Sequence, residues 1–255
     1  MSPLYDKPVR LLFKDMVQDL GLQPSGILTR EQALSWFKAR YPKVKPATIS
    51  AHLIKLSTNA PSRVHYNVNP DGADDLFYQV DTQHYRLYNP ATDFGPIYEK
   101  GGESSAAGGP SMIDDPERLE ELEAASEFAY EKDLQRFLAK NLGLVEPGLH
   151  LYDEEGITGV EYPAGGRYID ILALDKQNNF VIIELKVSRG YDRVVGQLLR
   201  YMAWIKKNLA DPSQSVRGVI IAREISDDLL LAASQVQGIR LYNYKMSVSL
   251  SQVTP

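Results

Sequence analysis

No cysteine occurs among the 255 residues, which excludes disulfide staples, cysteine-type zinc sites and thiol nucleophiles and fits a reducing cytoplasm. Histidine is also scarce, at four residues. His65, His84 and His150 lack partners at metal-ligand spacing and are expected at the surface or in packing rather than as ligands. No apolar run approaches the roughly 18 residues that span a bilayer, and Met1 to Arg10 contain no apolar signal core. Neither a membrane partner nor export is expected. No internal repeat is present. The hydrophobic share is 44% and the charged share 24%, as in ordinary soluble globular proteins, and the length is comfortable for two domains.

The net charge of -5 is unevenly distributed. Residues 1–98 carry 11 Lys+Arg against 9 Asp+Glu, residues 99–123 carry 2 against 8, and residues 124–255 carry 15 against 16. The acidity thus lies in one short segment, and net charge neither supports nor excludes a nucleic-acid partner. Residues 99–118 are dominated by Gly, Ser, Pro and acid, with little to bury. They read as a flexible acidic linker between residues 1–98 and 119–255.

In the first part, apolar residues at Val9, Leu12, Phe13, Met16, Val17 and Leu20 predict a helix over about Pro8–Leu20. The capping-box pattern Thr29-Arg-Glu-Gln32 opens a second helix to about Tyr41. Pro46 suits the first turn of a third, with Ile49, Leu53 and Leu56 as its inner stripe and Lys45, Thr48, His52 and Lys55 on or near its outer face. Strand-like stretches follow at Arg63–Tyr66, Phe77–Val80 and His84–Tyr88, the last two joined by Asp81-Thr82-Gln83. Three helices followed by a hairpin resemble a winged helix. That resemblance implies a third helix in the major groove, with Thr48, His52 and Lys55 facing DNA and Arg63 and Arg86 near phosphates. The same positions equally fit the solvated face of a winged helix that binds protein.

The second part reads α-β-β-β-α-β-α-β: a helix from about Glu117 to Asn141 with the stripe Leu134, Phe137, Leu138 and Leu142, strands near His150–Tyr152, Tyr168–Leu174 and Phe180–Lys186, a helix over Asp192–Asn208, a strand at Val216–Ala222, a helix at Asp227–Val236 and a strand at Ile239–Tyr244. Helices can cover both faces of such a sheet, which defines an α/β domain.

Two of these strands carry charges that their apolar composition does not explain. Tyr168-Ile-Asp-Ile-Leu-Ala-Leu174 contains Asp170, and Phe180-Val-Ile-Ile-Glu-Leu-Lys186 contains Glu184 and Lys186. An unpaired buried charge costs several kcal/mol, so such residues persist when paired with one another or with a metal. Glu184 and Lys186 are two apart and share a face. In an antiparallel hairpin with 175–179 as its loop, Asp170 and Glu184 sit opposite each other, about 5 Å apart at Cβ. Carboxylates that close repel unless a cation lies between them, and hard oxygen ligands select Mg²⁺ or Mn²⁺. The Lys186 ammonium could then position or deprotonate a water. On the helix that follows, Arg193, Gln197 and Tyr201 recur every four residues and line one face, beside a buried stripe of Val194, Leu198, Met202, Ile205 and Leu209. Asp175, Asp192, Glu154 and Glu155 are most simply solvated loop acids.

Asp170 followed by Glu184-Leu-Lys186 resembles the signature of the PD-(D/E)XK nuclease superfamily. The ordered set Glu131-Lys-Asp-Leu-Gln, Phe137-Leu-Ala-Lys-Asn-Leu, Glu146-Pro-Gly-Leu149, Gly166-Arg-Tyr-Ile-Asp-Ile-Leu-Ala173, Val181-Ile-Ile-Glu-Leu-Lys186 and Gly196-Gln-Leu-Leu-Arg-Tyr201 resembles the catalytic domain of NucS/EndoMS-type endonucleases over residues 127–245. The resemblance implies a restriction-endonuclease-like α/β core, a mixed sheet flanked by helices, behind the small α+β winged-helix-like domain. It implies Glu131 as a supporting acid, Asp170 and Glu184 as metal ligands, Lys186 as the catalytic lysine, and Gln197 and Tyr201 facing the cleft. Arg167 and Arg193 are plausible phosphate contacts. The implied activity is Mg²⁺- or Mn²⁺-dependent DNA hydrolysis leaving a 5′-phosphate, in a cytoplasmic, nucleoid-associated protein, with a homodimer needed for a double-strand cut. A catalytically silent DNA-binding regulator and an RNA-directed nuclease stand as alternatives. Ile169 occupies the position of the signature's proline. The front domain does not resemble the N-terminal domain of the NucS/EndoMS proteins, so mismatch specificity is not carried over.

Overall fold

A computed structural model describes residues 5–98, 130–190 and 193–245, apart from the side chains of 187–190. The expected linker, and the expected start of the helix that follows it, lie outside the described residues. Among those described, no helix is long and apolar enough to cross a membrane.

The front part contains α1 (Val9–Asp19), β1 (Leu28–Thr29), α2 (Arg30–Arg40), α3 (Pro46–Lys55), β2 (Phe77–Gln79) and β3 (His84–Leu87). The capping box at Thr29 is formed in both directions: its hydroxyl accepts from the Gln32 amide and Gln32 Oε1 accepts from the Thr29 amide. β2 and β3 pair antiparallel around the 81–83 turn, and β1 adds to β3. Phe13, Leu28, Phe37, Leu53 and Phe77 make the core. The expected strand at Arg63–Tyr66 is instead a 3-10 helix over Pro61–His65. Pro61 starts that turn with its fixed φ, and Arg63 is buried there, donating from Nε to the Lys55 carbonyl at 2.9 Å and pairing with Asp75.

A further correction concerns α3. Every residue from Ala47 to Lys55 is buried. Ile49 and Leu53 pack into the front core as expected, but Ala47, Ala51 and Ile54 belong to the core of the second domain. Thr48 donates to Glu154 at 2.8 Å, and Lys55 Nζ donates to the Glu155 carbonyl at 3.0 Å. His52 is wholly buried, and that burial lowers its pKa to about 4. The expected outer face is therefore an inner one.

The second domain supplies the matching surface with a hairpin, β5 (Asp153–Glu154) and β6 (Ile157–Thr158). Its turn residues Glu155 and Gly156 have φ of 50° and 77°, the signs that a two-residue type I′ turn demands. Glu155 Oε2 then accepts from the Val9 amide at 2.7 Å, at the start of α1, and Thr158 donates to the His65 carbonyl at 2.6 Å. Glu154 and Glu155 are joints between domains, not solvated loop acids.

A six-stranded mixed sheet lies behind that joint. β4 (His150–Leu151), β7 (Val160–Ala164) and β9 (Phe180–Gly190) all pair antiparallel with β8 (Arg167–Leu174), while β10 (Val216–Ile225) and β11 (Ile239–Asn243) add in parallel beyond β9. A helix over residues 130–140, here α4, covers one face with Leu134 and Leu138, followed by Leu142; Phe137, expected in this stripe, is exposed. α5 (Arg193–Asn208) and α6 (Asp227–Ser234) cover the other face, where Leu198 and Ile205 of α5 are fully buried. The α/β architecture is as the sequence implies. Strand β7 was not expected from the sequence; Pro163 and the Gly165-Gly166 turn mask its short apolar pattern.

α5 sits close on the sheet because Gly218 of β10 leaves room. A Cβ at Gly218 would stand 2.5 Å from Leu198 Cδ2. Gly218→Ala is therefore expected to lower unfolding stability by about 1–3 kcal/mol, the usual cost of overpacking. Urea denaturation of the two proteins measures this, and equal midpoints would contradict the close packing.

Candidate active site

The β8–β9 hairpin places the charges that interrupt both strands. Leu174 pairs with Phe180, leaving 175–179 as the loop, and Ile171 pairs with Ile183. Asp175 shapes that loop, accepting from the Gln177 and Asn179 amides. Continued by one residue, the register sets Asp170 opposite Glu184. Asp170 Oδ2 takes the next amide along, from Leu185 at 2.8 Å. The backbone of Asp170 is fixed from the other face by Gln135 of α4, whose Nε2 donates to its carbonyl at 2.9 Å.

Glu184 is 1% exposed. Its Oε1 accepts from Lys186 Nζ at 2.9 Å and from Gln197 Nε2 at 2.6 Å. Gln197 also reaches the Tyr201 hydroxyl at 3.3 Å, and that hydroxyl donates to the Tyr168 carbonyl at 2.7 Å. One turn of α5 therefore braces Glu184 and β8 together. Glu184 Oε2, by contrast, is buried without a hydrogen-bond partner. A buried acceptor left unmatched in this way carries a desolvation penalty, which a cation would remove.

The electrostatics point the same way. Burial, then the charge of Glu184, pushes the Asp170 carboxyl up to about 8, and burial raises Glu184 as well. Burial would lower the Lys186 ammonium, but the charges of Glu184 and Asp170 outweigh it and hold its pKa above the ordinary lysine value. Burial also raises the Tyr201 phenol. The oxygen donors are hard and crowded, the arrangement that suits a small divalent cation. Among the described residues no group of three His, Cys, Asp or Glu is arranged to hold a metal ion; Asp170 and Glu184 are the adjacent pair of carboxylates that could contribute oxygens to one.

Glu131 of α4 shares a cavity of about 250 Å³ with Asp170, and its charge contributes to the raised pKa of both Asp170 and Glu184. The same cavity holds Glu161, which sequence reasoning missed. The pairs Val160–Ile171 and Tyr162–Ile169 bracket it opposite Asp170 on the strand edge away from Glu184. Its φ of 48° is unusual for a side-chain-bearing residue within a strand, the kind of backbone strain that collects at functional sites. The Gly165-Gly166 pair is the one sequence signal that could have revealed the β7–β8 hairpin and hence this position.

The remaining expected DNA contacts are scattered. Arg167 and Arg193 are exposed, Arg167 at the start of β8 and Arg193 at the start of α5. Arg86 is half-buried, with both guanidinium nitrogens on Asp93 and its plane over Tyr78. Thr48, His52 and Lys55 lie buried in the joint described above, Arg63 lies buried within the front domain on Asp75 and the Lys55 carbonyl, and none of them presents anything to a groove. His84 is bound by Asp81, His65 lies 3.1 Å from Glu161, and His150 is exposed.

A mixed sheet bearing two acids and an amine on adjacent strands, braced by a helical glutamine and tyrosine, defines the class: an α/β domain with a buried acidic site. Its lineage is narrower. Residues 130–245 match the family described as Endonuclease NucS C-terminal domain, so the second domain is of NucS type, and residues 8–87 match a domain of unknown function, DUF7669. Endonuclease NucS of Methanopyrus kandleri is 30% identical over 100 residues, covering 39% of this chain and 35% of that protein; that of Methanocaldococcus jannaschii is 30% identical over 96 residues, covering 38% and 34%. The chain thus spans about a third of the length of the curated relatives it matches. Among solved structures, a repair endonuclease from Pyrococcus abyssi superposes with a TM-score of 0.37 at 19% identity, covering 53% of this chain and 50% of that one.

Because the folded-state pKa of Asp170 lies above its ordinary value of 3.8, its contribution to stability is fully present below that value and is lost as pH rises through about 8. Without divalent ions, Asp170→Asn should therefore be more stable than the natural protein at pH 8–9, by on the order of a few kcal/mol of unfolding free energy, and melt higher, with the gap closing near pH 4. A variant that melts lower at pH 9 would contradict the crowding of the carboxylates.

Proposed function

We infer that the chain is a divalent-metal-dependent DNA endonuclease, hydrolysing phosphodiester bonds in repair, restriction or defence. The observation that carries this reading is the buried, unpartnered Oε2 of Glu184 beside a second carboxylate held partly protonated. The NucS-type sequence of the same domain supports it.

Asp170 and Glu184 would hold Mg²⁺ or Mn²⁺, which neutralises a phosphate and lowers the pKa of a bound water. The chain's own residues do the rest. Lys186, protonated at neutral pH, donates to the reacting oxygens and stabilises the charge that develops on them; in that state it is a donor rather than a base. Gln197 keeps the shared Glu184 oxygen oriented, and Tyr201 ties α5 to β8, so the donors stay in place as charge develops. Glu131 adds negative potential that favours a cation. Arg167 and Arg193, exposed at the starts of β8 and α5, would meet phosphates.

The helix order of the front domain supports a winged-helix-like module, but its third helix serves as a joint. A double-strand cut would take a second copy of the chain, each contributing one site.

Lys186→Ala is expected to lower the cleavage rate at least a hundredfold, the usual scale for removing one transition-state donor, while DNA binding persists. EDTA should abolish cleavage, and Mg²⁺ or Mn²⁺ should restore it. The assay uses duplex, mismatched, branched and single-stranded DNA with RNA in parallel. Equal, metal-independent behaviour of both proteins would favour a silent DNA-binding regulator, and cleavage of RNA alone would redirect the substrate.

A further inference from the structure

A second cavity borders the Asp170 pocket. It measures about 360 Å³ and shares Lys132 and Gln135 of α4 with that pocket. One wall is α4; the other is formed by Val64 and His65, from the 3-10 helix of the front domain, together with strand residues of the second domain. The cations on the α4 wall are Lys132, Arg136 and Lys140. They are spaced i, i+4 and i+8, which aligns them along one helix face, each about 6 Å further along the axis. Gln135, only 5% exposed, turns inward to fix Asp170, so the helix that carries the basic row also sets the position of a candidate metal ligand.

The carboxylates nearby take up only part of this row. Arg136 faces Asp133 at 3.3 Å, but both side chains are more than half exposed. An ion pair in that setting is worth little and can give way to a phosphate. Lys132 is paired with Glu161, which also lies 3.1 Å from His65. Glu161 thus anchors a lysine of one domain and a histidine of the other at the junction of the two cavities. The result is a groove with cations along its α4 wall and its inner end beside the pocket that holds Asp170.

We propose that this groove is the track for the backbone of the nucleic-acid strand on one side of the scissile bond, with Arg136 and Lys140 as successive phosphate contacts, Lys132 held by Glu161 at its inner end, and the front domain as its second wall. The assignment rests on the nuclease reading above and deepens it by giving the strand a path. It also gives the front domain a role at the substrate that does not need α3 to enter a groove.

The test uses the full chain, Arg136→Glu/Lys140→Glu and the milder Arg136→Ala and Lys140→Gln, with Lys207→Glu on exposed α5 surface as the control. Circular dichroism and melting temperature verify folding. Binding to labelled DNA is measured in EDTA at several salt concentrations, and cleavage kinetics are measured in Mg²⁺ or Mn²⁺. The double reversal should weaken binding about tenfold or more. Each neutralising change should reduce the slope of log affinity against log salt by about 1, and KM should rise while kcat holds. Lys207→Glu should leave all three unchanged. If the natural protein binds and cleaves and the α4 variants match it in affinity, salt slope and KM, the track is overturned while the nuclease reading stands. If the natural protein neither binds nor cleaves any nucleic acid offered, the nuclease reading fails and the track fails with it.

Discussion

Two carboxylates meet at the seam between β8 and β9, inside a sheet that has little water to offer them. Asp170 borrows an amide from Leu185, and Glu184 borrows an ammonium from Lys186 and an amide from Gln197, yet one oxygen of Glu184 still has no partner. The surrounding architecture follows from holding these groups together. α4 fixes the Asp170 backbone, α5 braces Glu184, and Gly218 lets α5 approach closely enough to do so. Such an arrangement is poor for stability in isolation. Its sense lies in what it can bind.

The same logic explains the joint between the domains. Burying Thr48 and Lys55 would be costly if they were unpaired, but the hairpin at Glu154–Gly156 supplies acceptors, the Glu154 carboxylate to Thr48 and the Glu155 carbonyl to Lys55, while the buried His52 ring meets the Thr48 carbonyl within α3. Around them Ala47, Ala51 and Ile54 join the core of the second domain. The small residues on α3 allow the two domains to approach at close range.

The β8–β9 hairpin, its loop and its register were legible because two nearly continuous apolar strands with three charges admit few arrangements, and the parity of 170 and 184 selects one. The Gln197–Tyr201 face was legible from helical spacing. The front domain's element order was readable for similar reasons, as the Thr29 capping box is a local signal. What escaped was set by contacts remote in sequence. The polar face of α3 looks solvated by pattern alone, and nothing near it announces that residues 153–158 will cover it. Arg63 reads as a surface strand residue until Asp75 and the Lys55 carbonyl are seen to bury it. Glu161 escaped because β7 is short and contains Pro163, which weakens the alternation that marks a strand.

Full burial of α3 has a consequence for how this chain can be taken apart. Its two apolar faces are claimed by different domains, so neither half possesses a finished surface of its own. Grafting a foreign front domain onto this α/β core would uncover Tyr162, Ile157 and their neighbours unless the graft reproduced the small-residue face of α3. The front module is better regarded as part of one body with the second domain than as an exchangeable unit.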